Sequence, residues 1–193
     1  MISAPSGTGK TTVSEKILKE IPGIIPSISH TTRPPREGEI DGKDYYFISR
    51  EEFKKKIDLN EFVEWNGYNG NYYGSAFENI EKAKKLGKDL LLVIEVNGAN
   101  KIKNRYNNGV YIFIMPPSIN ILRERLIHRG AESREVIENR VKIAAKEIRH
   151  FADYSYVIIN HEIDETAKQV SSIIFAERCR KTNLIINTEG IGA

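Results

Sequence analysis

The fold follows from one stretch near the start of the chain, Ser3-Ala4-Pro5-Ser6-Gly7-Thr8-Gly9-Lys10-Thr11-Thr12. Its glycines allow the backbone to turn N–H groups inward, where they can bind the oxygens of a nucleotide polyphosphate. Lys10 can reach the β- and γ-phosphates, and the Thr11 hydroxyl can ligate the magnesium ion that bridges them. A helix beginning at Lys10 adds its positive N-terminal end. The stretch therefore predicts a phosphate-binding loop, with nucleotide contacts from every residue between Ser6 and Thr12.

The loop departs from the usual pattern in one place. Ala4 stands where G-x-x-x-x-G-K-[ST] has its first glycine, so a glycine-rich turn between two elements is the alternative interpretation. A phosphate loop normally follows a buried strand, and only Met1-Ile2-Ser3 precedes it here, against about five or six residues in a typical strand. Either this strand is unusually short or further residues precede Met1; we expect the second.

Composition places the chain among ordinary globular proteins. Its 193 residues suit one domain, and 40% of them are hydrophobic and 28% charged. A net charge of +3 does not indicate a nucleic-acid partner. The longest apolar run, from Leu90 to Ile94, is far below the ~20 residues that a membrane span needs. No signal peptide precedes the loop and Cys179 is the sole cysteine, so we expect a cytoplasmic protein without a membrane partner or intramolecular disulfide.

Helical and strand-like patterns alternate along most of the sequence. Helices are predicted at residues 9–20, 51–57, 77–86, 99–106, 118–129, 133–151 and 163–180. Strands are predicted at 27–32, 45–48, 61–65, 89–96, 109–115 and 156–160, whereas 181–193 show no clear period. Such alternation after a phosphate loop predicts an α/β fold with a parallel sheet. The β-rich part between residues 27 and 73 breaks the alternation, which predicts a separate substrate lobe.

Five stretches together resemble the guanylate kinase family of nucleoside monophosphate kinases. They are S-A-P-S-G-T-G-K-T-T from Ser3, S-H-T-T-R-P-P-R-E-G-E-I-D-G-K-D-Y-Y-F from Ser29, F-V-E-W-N-G-Y-N-G-N-Y-Y-G-S from Phe62, P-P-S from Pro116 and R-L-I-H-R-G from Arg125. The similarity spans residues 3–178 in the family's order and spacing. It implies transfer of the γ-phosphoryl group of MgATP to GMP or dGMP, giving GDP and ADP.

The same resemblance implies a three-part architecture. We expect a P-loop kinase core with a five-stranded parallel β-sheet flanked by helices, an inserted β-rich GMP-binding lobe and a helical lid. In a single domain covering residues 1–193, the core takes about 1–28, 86–122 and 151–193. The lobe takes about 29–85 and the lid about 123–150. Two rival interpretations are a catalytically inactive binding module of the same fold and a kinase for another monophosphate. The sequence leaves open whether the chain forms a homo-oligomer.

Arg33-Pro34-Pro35-Arg36 holds two guanidinium groups in a segment that its prolines stiffen. Two such groups suit a dianionic phosphate, although an isolated R-P-P-R is also typical of a solvated basic turn. The resemblance implies that Arg33 and Arg36 hold the GMP phosphate and that the hydroxyls of Tyr45 and Tyr73 donate hydrogen bonds to it.

Glu64 lies between hydrophobic neighbours, and an outward-facing strand charge is its simplest interpretation. The resemblance instead implies that Glu64 accepts hydrogen bonds from N1–H and the exocyclic amine of guanine, with Ser29 and Ser75 bonding the base nearby. A buried carboxylate is costly unless it is paired, and the two donors of guanine supply such a pairing.

Glu95 follows the apolar run and would lie at the carboxyl edge of a central strand, where an acidic group can act near magnesium. The resemblance implies a role for Glu95 at the metal and at the GMP ribose, with Thr11 as the second metal ligand. Many relatives carry another acidic residue two places earlier, where this chain has Val93. Glu95 would then act alone. No histidine clusters with a cysteine or another histidine at ligand spacing, so we assign no zinc.

Arginines are frequent in the two helices predicted at 118–129 and 133–151. Arg125 and Arg129 would share one helical face, and the resemblance implies that these two and Arg140 close over the ATP phosphates and act with Lys10 in catalysis. A charged solvent face is the alternative, with partners such as Glu124 and Glu135; we prefer that alternative for Arg123 and Arg134. The resemblance also places Asn160 near the adenine, while a turn-forming asparagine explains the same residue.

Overall fold

The computed structural model describes residues 1–68, 70–106, 109–128 and 133–180. Arg129 and the segment 181–193, for which the sequence analysis made predictions, lie outside the described residues. The α-helices are α1 (Lys10–Glu20), α2 (Arg50–Asp58), α3 (Phe77–Leu86), α4 (Val96–Lys103), α5 (Ile119–His128), α6 (Arg134–Ile148) and α7 (Ile163–Arg178). The strands are β1 (Ile2–Ser3), β2 (Ile24–Pro26), β3 (His30–Thr31), β4 (Tyr46–Phe47), β5 (Phe62–Tyr68), β6 (Asn71–Ala76), β7 (Asp89–Leu91), β8 (Val93–Ile94), β9 (Ile112–Met115) and β10 (Tyr156–Ile159).

The central sheet is parallel, with strand order β10-β9-β1-β8. Ile2 of β1 pairs with Val93 of β8 on one side and with Ile112 of β9 on the other. A two-stranded parallel sheet of β2 and β7 continues this arrangement, because β7 and β8 are separated by Leu92 alone. The backbone N–H of Ile2 donates to the Leu92 carbonyl at 2.8 Å. The strand predicted at 89–96 is therefore broken at Leu92, and its last residue already begins α4.

Helices cover the parallel strands because their apolar faces match those of the sheet. Val13 and Ile17 of α1 and Val170 of α7 are fully buried and belong to one cluster with Ile2 and Ile114. A second cluster joins the buried residues of α4 to Phe113 of β9 and to Val63 of the lobe strand β5. The α/β fold with a parallel, helix-flanked sheet is confirmed. In that fold the carboxyl ends of β1, β8 and β10 meet at one edge, where ligands bind.

The insert between β2 and α3 forms a sheet of its own, with strand order β4-β3-β6-β5. Strands β5 and β6 make an antiparallel hairpin, with an irregularity between Phe62 and Glu64. Phe53 of α2 stacks on Phe62 with ring centroids 4.5 Å apart, which gives the lobe its own apolar centre. The β-rich lobe is confirmed as part of the fold.

Several predicted boundaries need correction. The segment predicted as one strand at 27–32 contains only the short β3, and β2 lies before it at Ile24–Pro26. Strand β6 was not predicted, since its Asn, Gly and Ser residues resemble a turn. Helix α4 begins three residues earlier than predicted, directly after Glu95. Helix α6 ends at Ile148 and continues as the short 3₁₀ helix Arg149–Asp153.

No helix within the described ranges is long and apolar enough to cross a membrane.

Candidate active site

The predicted phosphate loop connects β1 to α1 at the carboxyl edge of the sheet. Gly7 and Gly9 adopt φ angles of 87° and 98°, in the left-handed region that favours glycine. A Cβ atom at Gly9 would lie 2.8 Å from the Nδ2 atom of Asn160, so the loop also lacks space for a side chain there. Its conformation thus depends on glycine at the positions that the motif specifies.

Asn160, which follows β10, holds this loop through hydrogen bonds of its side chain. Its side chain is fully buried; Nδ2 donates to the Thr8 carbonyl at 2.6 Å, and Oδ1 accepts from the Thr166 hydroxyl at 2.8 Å. The structure gives Asn160 the position of a residue that holds the loop. The place near the adenine that the resemblance implies stays a prediction.

Lys10 lies at the start of α1 and faces the end of β8. Its ammonium group donates to Glu95 Oε1 at 2.9 Å and to the Ile94 carbonyl at 3.3 Å. The hydroxyls of Thr11 and Thr12 belong to exposed residues of the first helical turn. The loop lysine and the acidic residue after β8 are therefore brought together at the carboxyl edge of the sheet.

The oxygen donors at this edge fit magnesium. Thr11 offers a hydroxyl and Glu95 a half-exposed carboxylate, whereas Val93 packs into the core. Within the described ranges, no three side chains of His, Cys, Asp or Glu converge on a point that could hold a metal. A hydroxyl and a carboxylate are donors that fit magnesium, which usually keeps several waters and binds through one or two protein groups plus substrate phosphates.

Helix α6 touches the phosphate loop at Ser6 with two side chains. Arg140 donates to the Ser6 hydroxyl, and the Ser6 backbone N–H lies near enough to Glu147 to lower the pKa of its carboxyl slightly. The pKa of Glu147 is raised to about 7, mainly by burial and next by the nearby Glu95 carboxylate, while the charge of Lys10 opposes the shift. Glu147 was not predicted as a site residue. It lies two helical turns after Arg140, and this spacing puts both side chains on one face of the helix.

Arg125 of α5 reaches the loop from the other side. Its guanidinium group donates to the carbonyls of Thr8, Asn160 and His161 at 3.4, 3.0 and 3.1 Å.

Arg123, predicted as a solvent-facing charge, pairs with Glu138 of α6 at 2.9 Å rather than with Glu124 or Glu135, because α5 and α6 pack side by side.

Arg33 lies in the lobe beside the two tyrosines that the resemblance named. Its guanidinium group lies 5.5 Å from the ring centre of Tyr45, and the rings of Tyr45 and Tyr73 are 6.0 Å apart. Both of its terminal nitrogens bond the carboxylate of Glu39, at 2.8 and 2.9 Å. The Arg33 guanidinium holds the pKa of Glu39 below its usual range. Arg36 is exposed, and its backbone N–H donates to Glu39 at 2.7 Å.

Glu39 was missed by sequence analysis, although it lies within R-P-P-R-E-G-E. It accepts hydrogen bonds from the Arg33 guanidinium group and from the Arg36 backbone N–H, and these bonds order the turn.

Glu64 is buried, with only 7% of its surface exposed, so it is not an outward-facing strand charge. The Ser75 hydroxyl donates to its Oε1 at 2.9 Å, and the Ser29 hydroxyl lies 3.4 Å from that of Ser75. Burial raises the pKa of Glu64, and the Ser75 hydrogen bond and the charge of Lys101 partly offset this. The three residues predicted to read the base thus form one connected group.

A cavity of about 270 Å³ joins the lobe to the phosphate loop. Its wall combines residues of both parts, among them Ser6, Ser29, Tyr45, Glu64, Tyr73, Glu95, Arg140 and Glu147. The buried carboxylate of Glu64 and Ser6 of the phosphate loop therefore line the same cavity.

Comparison with known proteins identifies the family of this chain. Residues 1–177 match the family model described as guanylate kinase. The guanylate kinase of Geobacter metallireducens is 47% identical over 93% of this chain and 89% of its own length. That of Clostridium tetani is 43% identical over 99% of this chain and 93% of its own length. The chain belongs to the guanylate kinase family.

A solved guanylate kinase structure extends this similarity to three dimensions. The crystal structure of guanylate kinase from Anaplasma phagocytophilum has a TM-score of 0.77 and 39% sequence identity, and it covers 94% of this chain and 86% of its own. The chain is thus a P-loop kinase by fold as well as by sequence. A guanylate kinase is a nucleotide-binding transferase, and the loop from Ser6 to Thr12 is the part of this chain suited to that chemistry.

Proposed function

We propose that the protein transfers the γ-phosphoryl group of MgATP to GMP and dGMP, giving ADP and GDP or dGDP. One observation carries the proposal: a phosphate loop and a buried carboxylate that could read guanine line the same cavity of about 270 Å³. The contacts that carry recognition involve the base and the phosphate, which GMP and dGMP share.

In this proposal Glu64 accepts from N1–H and the exocyclic amine of guanine, and Ser29 and Ser75 bond the base beside it. Support comes from the burial of Glu64, since a carboxylate at such a position gains from two further donors. A neighbouring set would hold the GMP phosphate: Arg33, Arg36, Tyr45 and Tyr73. When the GMP phosphate binds, it would replace Glu39 at the two terminal nitrogens of Arg33, because a dianion is a stronger partner for a guanidinium group than one carboxylate.

The donor nucleotide would bind along the phosphate loop with its polyphosphate on the inward N–H groups. Lys10 would leave Glu95 for the β- and γ-phosphates, and Thr11 and Glu95 would hold the metal, Glu95 also facing the GMP ribose. Bound magnesium supplies positive charge that neutralises the phosphate oxygens. Transfer needs no covalent enzyme intermediate, since in-line attack by a GMP phosphate oxygen requires positioning and charge stabilisation.

Arg125, Arg129 and Arg140 are proposed to stabilise the charge that develops on the transferring group. Arg140 already lies at Ser6 of the loop, and Arg125 lies at Thr8. Closure of the part that carries them would exclude water from the cavity.

The division into core, GMP-binding lobe and lid belongs to this proposal. It is supported by separate apolar clusters, one around Phe53 and Phe62 in the lobe and one around Leu122 and Val141 between α5 and α6. The part formed by α5 and α6 has an apolar cluster of its own, so it can move relative to the core with little repacking.

A panel of nucleoside monophosphates tests the proposal. Each is offered with MgATP, and ADP formation is followed in a coupled assay. GMP and dGMP should be the preferred acceptors. Equal use of AMP, CMP or UMP would make the protein a kinase of other specificity, and binding without turnover would indicate an inactive binding module.

A further inference from the structure

We propose that Gly98 of α4 determines base specificity by positioning Glu64. This inference rests on the proposed function, in which Glu64 reads guanine. Gly98 does not touch the substrate in this proposal; it acts through the carboxylate.

Glu64 lies against α4 more closely than any other residue type at position 98 would allow. A Cβ atom on Gly98 would be 2.6 Å from Glu64 Oε2, well below the 3.0 Å that real Cβ contacts essentially never undercut. The other carboxylate oxygen, Oε1, accepts from the Ser75 hydroxyl at 2.9 Å. One carboxylate oxygen is therefore bonded by the lobe, and the other occupies space beside α4 that is open only because residue 98 has no side chain.

The strand that carries Glu64 is itself fastened to α4 and the turn after it. Lys101 donates to the Trp65 carbonyl at 2.6 Å, and Arg105 donates to the carbonyls of Phe62 and Val63 at 3.2 and 3.3 Å. These bonds lie on both sides of Glu64. Because the backbone is held, a methyl group at position 98 would turn the carboxylate away from its place rather than shift the strand.

The side chain of Glu64 thus takes its orientation from α4 as well as from the lobe. Base recognition requires this orientation, because two donors on one guanine edge must meet two oxygens of one carboxylate in the same plane. Gly98 makes that orientation accessible, which explains why a residue of the core can influence base choice.

The test compares Gly98→Ala with Gly67→Ala. Gly67 lies on the same strand as Glu64, and a Cβ atom there would meet Tyr72 at an ordinary 4.0 Å. Gly98→Ala should lower kcat/KM for GMP by about 100-fold, the order of loss that a displacement near 1 Å causes. Its kcat/KM for AMP and its KM for MgATP should stay near the wild-type values, so the GMP-to-AMP ratio falls. Gly67→Ala should resemble wild type.

A double variant separates positioning from general damage. Glu64→Asp shortens the side chain by one methylene, so its carboxylate no longer reaches the position that Gly98→Ala would obstruct. Glu64→Asp should lower GMP use strongly in the wild-type background and much less in the Gly98→Ala background. If the losses in kcat/KM do not add in the double variant, the two residues act through one contact.

Gly98→Ala also brings a methyl group within 2.7 Å of Ile94 Cγ2, so this variant could fail to fold. Arg105→Met then carries the test: it removes the bonds to the Phe62 and Val63 carbonyls, and it should lower the GMP-to-AMP ratio without changing the KM for MgATP. An unchanged ratio in folded Gly98→Ala, or in Arg105→Met where Gly98→Ala does not fold, overturns the inference. Additive losses in the double variant overturn it as well. A wild-type protein that does not phosphorylate GMP overturns the proposed function instead.

Discussion

Glu64 shows how one residue can link burial to substrate choice. Its carboxylate is 7% exposed and bonded by Ser75, and burial raises its pKa. Guanine offers two donors to such a group, whereas adenine has an acceptor at N1 and no donor at C2. Each hydrogen bond to a charged group contributes about 1.5–3 kcal/mol, and an unpaired buried charge costs more.

Wild type should therefore prefer GMP over AMP by at least ~10³ in kcat/KM, as sites built to bond a donor reject analogues that lack it. Glu64→Gln should reduce this ratio mainly through GMP, because one amide carbonyl accepts only one of the two bonds well. The measurement is kcat/KM for both nucleotides in both proteins. A wild-type preference under about tenfold, or an unmoved ratio in Glu64→Gln, contradicts the assignment of Glu64.

Lys10 carries the second prediction at this scale. Its bonds to Glu95 and to the Ile94 carbonyl would be exchanged for the nucleotide phosphates. Lys10→Ala should lower kcat by several orders of magnitude, because Lys10 acts mostly on charge that develops during transfer. Circular dichroism and the melting temperature should remain close to wild type. Near-normal turnover in a folded Lys10→Ala protein would falsify the role given to the loop.

Residue positions were predictable from sequence where a local motif specifies them. The loop from Ser6 to Thr12 and the pair Arg33 and Tyr45 carry such motifs, and the structure places Arg33 beside Tyr45 and Tyr73. Glu39, Glu147 and Gly98 could not be predicted in the same way, because their contacts join segments whose approach depends on the fold. The bond from Asn160 to the Thr8 carbonyl was not predictable either, because it joins residues 152 positions apart in the chain.

At the scale of elements, α6 acts as a second support for the phosphate loop. Arg140 and Glu147 lie two turns apart on one face of the helix; Arg140 donates to the Ser6 hydroxyl, and Glu147 lies near the Ser6 backbone N–H. The pKa of Glu147 is raised from 4.5 to about 7, mainly by burial. The folded protein therefore holds this proton across a pH range in which the unfolded chain has lost it. Stability from Glu147 is complete below about pH 4.5 and is lost as pH rises through about 7.

Glu147→Gln stays neutral throughout and keeps the size and shape of the side chain. The melting temperature of Glu147→Gln should match that of wild type near pH 4.5 and exceed it increasingly between pH 5 and pH 8. Thermal unfolding of the nucleotide-free proteins across this range provides the measurement. Glu135→Gln, which changes an exposed carboxylate at the other end of α6, is the control. A parallel pair of curves for wild type and Glu147→Gln would show that burial does not shift this carboxyl.

Secondary structure was predictable where a single signal dominates. Helix α3 spans Phe77–Leu86 as predicted, since its apolar period ends at a glycine. The apolar run from Leu90 to Ile94 predicted a strand, but it did not reveal the break at Leu92 or the start of α4 at Val96. Strand β6 escaped prediction because pairing with β5, rather than its own composition, makes it a strand.

At the scale of the molecule, the alternation of strands and helices after a phosphate loop was enough to predict the parallel sheet. The way in which the lobe meets the core was not predictable, because it depends on contacts between distant segments. Lys101 and Arg105 hold the carbonyls of β5, and Val63 belongs to the same apolar cluster as Phe113 of the central sheet. These contacts tie the lobe strand that carries Glu64 to the core.

This connection leads to a prediction for unfolding. Lobe and core should melt in one cooperative transition, because Val63 and the bonds from α4 make the lobe strand part of the core's packing. GMP binds the lobe in the proposed function, so it should shift that entire transition. At a concentration 100 times its dissociation constant, a ligand stabilises by about 2.7 kcal/mol, which corresponds to roughly 5–10 °C for a domain of this size. Differential scanning calorimetry with and without GMP measures both the shift and the number of transitions.

Arg33→Met supplies the matched control for that measurement. It removes the guanidinium group proposed to hold the GMP phosphate and leaves the phosphate loop unchanged. The shift caused by GMP should therefore shrink strongly in Arg33→Met, while the shift caused by MgATP should persist. Two separate transitions, with GMP moving only the lower one, would mean that the lobe unfolds alone and that the contacts of Lys101 and Arg105 do not couple it to the core. If GMP raises the melting temperature of a single transition, its binding to the lobe stabilises the parallel sheet as well. The shared packing of Val63 and Phe113 requires this result.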